Sequence, residues 1–218
     1  MHEQNADKQV EKNRMDGIGW GYILISGFDT DFDSDPELDL DDKEGGGAMI
    51  DLLRTRRSIR AYTDRAIEPE KIEILKEALL RSPSSREIRP WRFYFVESPG
   101  LLAALSRCKP HGADFLKNAR LGIVVCGEPD RSDVWVEDCA IAALVAHLTA
   151  HSLGLGSCWS QVRNRNHDEA TTAEAYVRST LGLPDNLTVE AIVAVGYPAE
   201  EKPGIAAESL PVEKITVV

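Results

Sequence analysis

The chain has 218 residues, enough for one domain with a substantial core, and a formal net charge of −11. Residues 1–48 hold 13 acidic and 4 basic side chains, which leaves 23 and 21 in the remainder, a near-neutral balance that argues against a general nucleic-acid binder. No apolar run reaches the roughly 18 residues of a membrane span, the N-terminus lacks the apolar core of a secretory signal, and Cys108, Cys126, Cys139 and Cys158 form no CxxC pair, so a cytoplasmic protein with reduced thiols is expected.

Residues 1–48 read as a separate acidic extension. Asp29 to Glu44 is a run of acids closed by three glycines, too polar to bury, and is expected to stay mobile. Gly21 to Phe28 reads as one short strand without an evident partner. The stretch DTDFDSDPELDLDD invites a calcium-loop reading. Counted from Asp31, however, its sixth position is Pro36, where the tight turn wants glycine. Met49 precedes the domain proper and is a candidate for the start of the functional protein.

From Met49 the pattern alternates helix and strand. A first helix reaches about Arg57. Pro69 opens a second, with Ile72, Leu75 and Leu79 on one stripe, and Ser82-Pro83 ends it. Trp91 to Val96 is an aromatic-rich strand, Leu101 to Cys108 a short helix, and Leu121 to Cys126 a buried strand. Val134 to Leu153 is a long helix stopped at Gly154. It is apolar nearly all round, and a helix of that kind must be covered on every side; a second subunit is the simplest cover. Ser157 to Val162 is extended, Thr172 to Leu181 helical, and Val189 to Val195 a further buried strand. Pro198 begins an irregular tail.

Two segments carry most of the chemistry. RTRRSIRAY, residues 54–62, sets Arg56, Arg57 and Arg60 around Ser58. Clustered guanidiniums suit a phosphate, because each planar fork can hold two oxygens. A solvated basic helix end, favoured by the helix dipole, is the plainer alternative. SPSSREIRPWRF, residues 82–93, is a Pro-Ser-Ser loop leading into a strand, and by itself it reads as a turn. His147 and His151 share a helix face at a spacing that can hold zinc, but the metalloprotease glutamate is missing between them, and packed histidines are the simpler reading. Gly154 to Trp159 lacks the third glycine of a dinucleotide loop and reads as a helix cap running into a strand. Cys158 reads as a packed thiol rather than a nucleophile.

Four motifs in order, RRSIRAY, SPSSREIRPWRFYFV, LGLGSCW and VEAIVAVGYPAEEKP, resemble the nitroreductase family of flavin mononucleotide (FMN) enzymes. The resemblance runs from about Met49 to Pro203. KPHGADFLKNA, SDVWVEDCAIAA and SCWSQVRNR look like one subgroup of that family. It implies an α+β fold, with a mixed, mainly antiparallel sheet flanked by helices, in an intertwined homodimer with FMN at the subunit interface. By position, Arg56, Arg57, Ser58 and Arg60 would hold the FMN phosphate and ribityl chain, with Lys202 a further candidate. Ser84 and Ser85, with Glu87 close by, would reach the flavin from the partner subunit. Trp159, Ser160 and Gln161 would line the ring and offer it backbone amides. The family often has Asn and Gln where this chain has Glu87 and Arg89; a carboxylate there would disfavour an anionic reduced flavin.

The resemblance further implies an oxidoreductase passing hydride from NAD(P)H to an electron-poor acceptor, of nitroaromatic or quinone type, by ping-pong use of one site. The flavin carries the chemistry and no protein residue need act as nucleophile. A flavin-binding carrier or sensor without turnover is the alternative. Residues 49–218 would form the FMN-binding domain.

Overall fold

A computed structural model describes residues 47–218. The expected strand over residues 21–28, the acidic run and the calcium-loop alternative lie outside the described residues. Five helices and four strands follow in chain order: α1 Gly47–Thr55, α2 Pro69–Leu80, β1 Trp91–Val96, α3 Pro99–Leu105, β2 Leu121–Gly127, α4 Trp135–Ser152, β3 Gly156–Gln161, α5 Ala173–Leu181 and β4 Thr188–Gly196. All four strands lie within two residues of their predicted limits. α1 stops at Thr55, short of Arg57, because the chain leaves the helix to pair with β3 through a one-residue parallel bridge, Ser58 to Ser157. α3 starts earlier than expected. Ser98 turns its hydroxyl toward Leu101 N and Pro99 takes the first turn, where its missing N–H costs nothing.

The strands form one sheet in the order β1-β2-β4-β3, antiparallel throughout. The parallel part of the expected mixed sheet is confined, among the described residues, to the Ser58–Ser157 bridge. β2 and β4 are central, and almost every side chain on them is buried. β3 is an edge strand.

Helices cover both faces of the sheet. On one, α2 and α4 lay Leu75, Leu79, Ala142, Ala143 and Ala146 against Ile123, Val125 and Val193. On the other, α3, α5 and the turn at Asp114–Asn118 set Leu102, Leu105, Leu116 and Val177 against Val124 and Ile192. The stripe predicted on α2 is the buried one. α4 meets the sheet through alanines and Cys139, which allow close approach, while its bulkier Ile141 and Leu144 remain 40% and 48% exposed. The described residues therefore do not cover α4 on every side.

Candidate active site

The arginine turn lies where α1 ends beside the start of β3. Its inward side chains fix it. Ile59 and Tyr62 are buried, and the Tyr62 hydroxyl donates to Ile59 O at 2.6 Å. Two glycines make room for them: a Cβ on Gly156 would stand 2.8 Å from Ile59 Cβ, and one on Gly196 2.9 Å from the Tyr62 ring. Gly156 is therefore required by close packing. Gly154, at φ +72°, ends the α4 region in the left-handed conformation, so LGLGS is a helix stop feeding a strand, as expected.

With Ile59 and Tyr62 turned inward, the basic side chains surround the turn. Arg56 Nη1 lies 2.9 Å from His147 Nε2, Arg57 donates to Pro203 O, and the Arg60 guanidinium lies 5.9 Å from the Phe115 ring centroid. Lys202 Nζ donates to Ser58 O and to Glu200 Oε1, both at 2.9 Å. Among the described residues no carboxylate side chain forms an ion pair with Arg56, Arg57 or Arg60. Glu200 instead accepts from the backbone N–H of Arg60 and Ala61. The Arg60 N–H bond and then Lys202 pull its carboxyl down to about 2. A cavity of about 660 Å³ opens here, lined by Thr55, Arg57, Ile59, His151, Gly154 to Ser157, and the Pro198 and Glu200 to Pro203 segment.

β3 continues away from this turn along the sheet edge. Ser157 O accepts from Ile59 N at 2.9 Å and therefore faces outward. By the two-residue period of a strand, the main-chain groups of Trp159 and Gln161 face the same open side. Gln161 O is met there by Lys109 Nζ at 2.8 Å, and burial lowers the Lys109 pKa. The Gln161 side chain is held by Trp159 Nε1 at 2.9 Å and by Glu190 Oε1 at 3.1 Å. Ser160 is fully buried, with its hydroxyl turned to Gly112 O, so its side chain points into the core and away from the open edge. Cys158 is buried too, and burial pushes its thiol up.

The serine loop is elsewhere. Ser84 Oγ accepts from Arg89 N at 2.9 Å, and Ser85 N donates to Asp138 Oδ1 at 2.8 Å. Asp138, on α4, is 3% exposed, and its other oxygen has no partner among the described residues. Arg86 reaches Asp133 at 2.7 Å. Arg86, Glu87 and Arg89 have φ of 52°, 55° and 51°, left-handed values rarely held by residues with a side chain. Glu87 is exposed. Asp138 and His147, the α4 residues that meet the loop and the arginine turn, lie nine positions apart, about 14 Å of helix. Within one chain the fold thus gathers Arg56, Arg57, Ser58, Arg60 and Lys202 at the start of β3, and it does not bring Ser84, Ser85 and Glu87 to them.

Both histidines of α4 are engaged by the arginine turn. His147 Nδ1 meets the Ser157 hydroxyl, and His151 Nε2 lies 2.8 Å from Thr55 Oγ1. Burial, then Arg56 and His151, take the His147 pKa down to about 4. Sequence reasoning singled out the two histidines only for zinc and gave Thr55, Ser157 and Glu200 no role. The i,i+4 spacing was the visible signal, and nothing local linked it to an arginine 91 residues away.

The chain matches the model of the nitroreductase family over residues 53–109 and 102–197. It is 39% identical over 157 residues to an Archaeoglobus fulgidus protein with the provisional name NADH dehydrogenase/NAD(P)H nitroreductase, covering 70% of this chain and 87% of that one. Among solved structures, an FMN-dependent nitroreductase from Clostridium difficile R20291 is 44% identical, with a TM-score of 0.76 over 78% of this chain and 98% of its own. A Parabacteroides distasonis structure with the same provisional name as the archaeal protein is 34% identical, with a TM-score of 0.70 over 77% of this chain and 96% of its own.

Proposed function

The chain belongs to the nitroreductase family, and on that premise we propose that it is an FMN-dependent oxidoreductase drawing hydride from NAD(P)H and passing it to an electron-poor acceptor of nitroaromatic or quinone type. One observation carries the proposal. Three guanidiniums on a five-residue turn have no carboxylate partner among the described residues, and they stand at the end of an open sheet edge. Clustered cations without such a partner call for an anion. An outward row of backbone groups calls for a flat partner with its own donors and acceptors.

FMN fits both demands, with a phosphate at one end and a polar-edged ring at the other. The cavity beside the turn, about 660 Å³, has the size of a small-molecule site. Arg56, Arg57 and Arg60, with Lys202, would hold the phosphate, and Ser58 the ribityl chain. Lys202 is already fixed on Ser58 O, which places its charge at the turn. Along the ring, the main-chain groups of Trp159 and Gln161 would serve, while those of Ser160 face β4 by the same period. When bound, FMN supplies the hydride-accepting and hydride-donating chemistry. The protein binds it, orients it and sets its surroundings.

Ser84, Ser85 and Glu87 do not reach this site within one chain, so they would serve the site of a second copy. The exposed apolar surface supports a homodimer: Met49, Ile50 and Leu53 on α1, Ile141 and Leu144 on α4, and Leu210, Val212, Ile215 and Val217 in the tail. Residues 49–218 would be the FMN-binding domain, with 1–48 an appended acidic segment. NAD(P)H and acceptor would use one site in turn, the nicotinamide leaving before the acceptor enters. Four buried, unpaired cysteines fit a reducing cytoplasm.

The test is the absorption spectrum of the purified protein, followed by anaerobic addition of NADH or NADPH and then of a nitroaromatic or quinone. Yellow protein, bleached by one nicotinamide and recoloured by the acceptor, is expected. A bound flavin that neither nicotinamide bleaches would favour a carrier or sensor. Protein that stays colourless and takes up no added FMN would overturn the proposal.

A further inference from the structure

His147 is 93% buried, and both of its ring nitrogens are used. Arginine has donors only, so Nε2 must accept from Arg56 Nη1 at 2.9 Å. The ring proton then sits on Nδ1 and is donated to Ser157 Oγ, whose own hydrogen turns to His147 O at 3.5 Å. One turn along α4, the Thr55 hydroxyl donates to Asp51 O at 2.7 Å and therefore accepts from His151 Nε2 at 2.8 Å. The histidine pair thus closes over Thr55, the last residue of α1, and Arg56, the first of the arginine turn, and the main chain of Ser157, in contact with the same turn, is fixed to Ile59.

We infer that His147 is a positioning residue for the anion site: its ring, seated by the Nδ1–H bond to Ser157, presents the Nε2 lone pair that aims the Arg56 guanidinium. A free arginine side chain samples many rotamers, and its planar fork binds well only when its direction is set. Arg57 has the Pro203 carbonyl for this purpose and Arg60 the Phe115 ring. For Arg56, the described residues offer His147 alone. A protonated or wrongly tautomeric ring has no lone pair at Nε2 and repels or releases the guanidinium. The consequence for flavin affinity rests on the function proposed above; the arrangement of the ring does not.

Two measurements keep the two apart. In flavin-free protein, the ¹⁵N shifts of the His147 ring are expected to report a single neutral Nδ1–H form. Ser157→Ala, which keeps the Arg56 donor, should leave that form in place, and Arg56→Ala should turn it into a mixture. A ring protonated on Nε2 in the unaltered chain would overturn the inference whatever the protein binds. For FMN titrated into flavin-free protein, His147→Leu is expected to raise Kd about tenfold, the scale of one lost charge-assisted bond. In the Arg56→Ala background the same change should alter Kd less than about twofold, because the two residues act as a unit. His147→Gln, whose amide oxygen can accept from Arg56, should stay within about threefold of the unaltered chain, and it carries the test should the leucine variant fail to fold. Equal losses in both backgrounds, or a glutamine variant as weak as leucine, would overturn the inference. Unaltered protein that binds no FMN would sink the functional proposal and leave the tautomer measurement to decide the relay.

Discussion

The arginine turn, residues 56–62, and the serine loop, residues 84–89, are both short polar segments leaving a helix, yet the fold treats them in opposite ways. The turn is anchored from within. Ile59 and Tyr62 are buried, its backbone is bonded to Ser157 and Glu200, and each arginine has a neutral neighbour that directs it. The loop is held by polar contacts, from Asp138 to Ser85 N, Asp133 to Arg86, Ser84 Oγ to Arg89 N and Arg131 to Ile88 O, and it holds three side-chain-bearing residues at positive φ. The turn is fixed in place, and its three guanidiniums have no carboxylate partner among the described residues. The loop is held in a backbone shape unfavourable to its residues. Strain of this kind persists where a surrounding structure imposes it and function draws on it.

The strongest way to break this contrast is to empty the turn of its charge. Arg56→Ala with Arg60→Ala removes two charge-assisted contacts, each worth on the order of 1.5–3 kcal/mol, so FMN affinity should fall at least a hundredfold. Stability should fall by only about 1–3 kcal/mol, because neither arginine makes an ion pair among the described residues and the main loss is the donor that Arg56 gives to the buried His147 Nε2. Fluorescence titration of FMN checks this. Full flavin retention by the double variant would mean that the phosphate lies elsewhere.

Acid tests the same region through His147. Its folded pKa is about 4 against an ordinary 6.5, so between those values the unfolded chain binds more protons than the folded one. Stability therefore falls as pH drops from about 6.5 toward 4, by on the order of 3 kcal/mol at full development. Burial and Arg56 lower the His151 pKa as well, which adds to the loss. Glu68 and Glu200, both drawn down to about 2 from 4.5, begin to lose their contributions only from about pH 4.5 downward, at the acid end of that window. Urea midpoints at pH 7, 5.5 and 4.5 should show the decline, and His147→Gln should flatten most of it. A midpoint independent of pH across this range would remove His147 from the buried, neutral role.

Packing offers a smaller break. A methyl on Gly156 meets Ile59 Cβ and Cγ2 at 2.8 Å, and both are fixed parts of a buried side chain. Gly156→Ala should cost about 1–3 kcal/mol in urea unfolding and displace the turn. Adding Ile59→Gly should give a loss below the sum of the two, since it removes the Cβ and Cγ atoms that the new methyl meets. Strict additivity would show that the glycine is not there for Ile59.

The same contrast separates what could be read in the chain from what could not. The strands were legible because period and composition are local, and Trp91–Val96 falls on its predicted limits. The arginine cluster was legible because three guanidiniums lie within five residues. Its supports were not: His147, Glu200 and Pro203 lie 91 to 146 positions away, and no spacing rule joins them. Ser160 was grouped with its neighbours as lining, though strand alternation sends its side chain to the opposite face, a step open to sequence reasoning once β3 is taken as an edge. The loop's left-handed backbone carried no signal at all, since Arg86, Glu87 and Arg89 are not residues that favour it.

That last point yields the mildest prediction and sharpens the contrast most. At a φ of 55°, Glu87 lies where a side chain costs about 1–2 kcal/mol, and glycine would remove that cost while adding freedom to the unfolded chain. Glu87→Gly should therefore stabilise the protein by only about 0.5–1 kcal/mol, read as a small rise in melting temperature. Asn164, at a φ of 57°, is the internal control: asparagine tolerates this region, so Asn164→Gly should gain less. If the loop's shape serves catalysis, the Glu87 variant should be more stable and slower, with its flavin affinity reduced less than in the Arg56/Arg60 double variant. A Glu87→Gly protein that melts lower than the unaltered chain would mean that the side chain stabilises the loop it distorts, and the distinction between an anchored turn and a strained loop would fail at its second half.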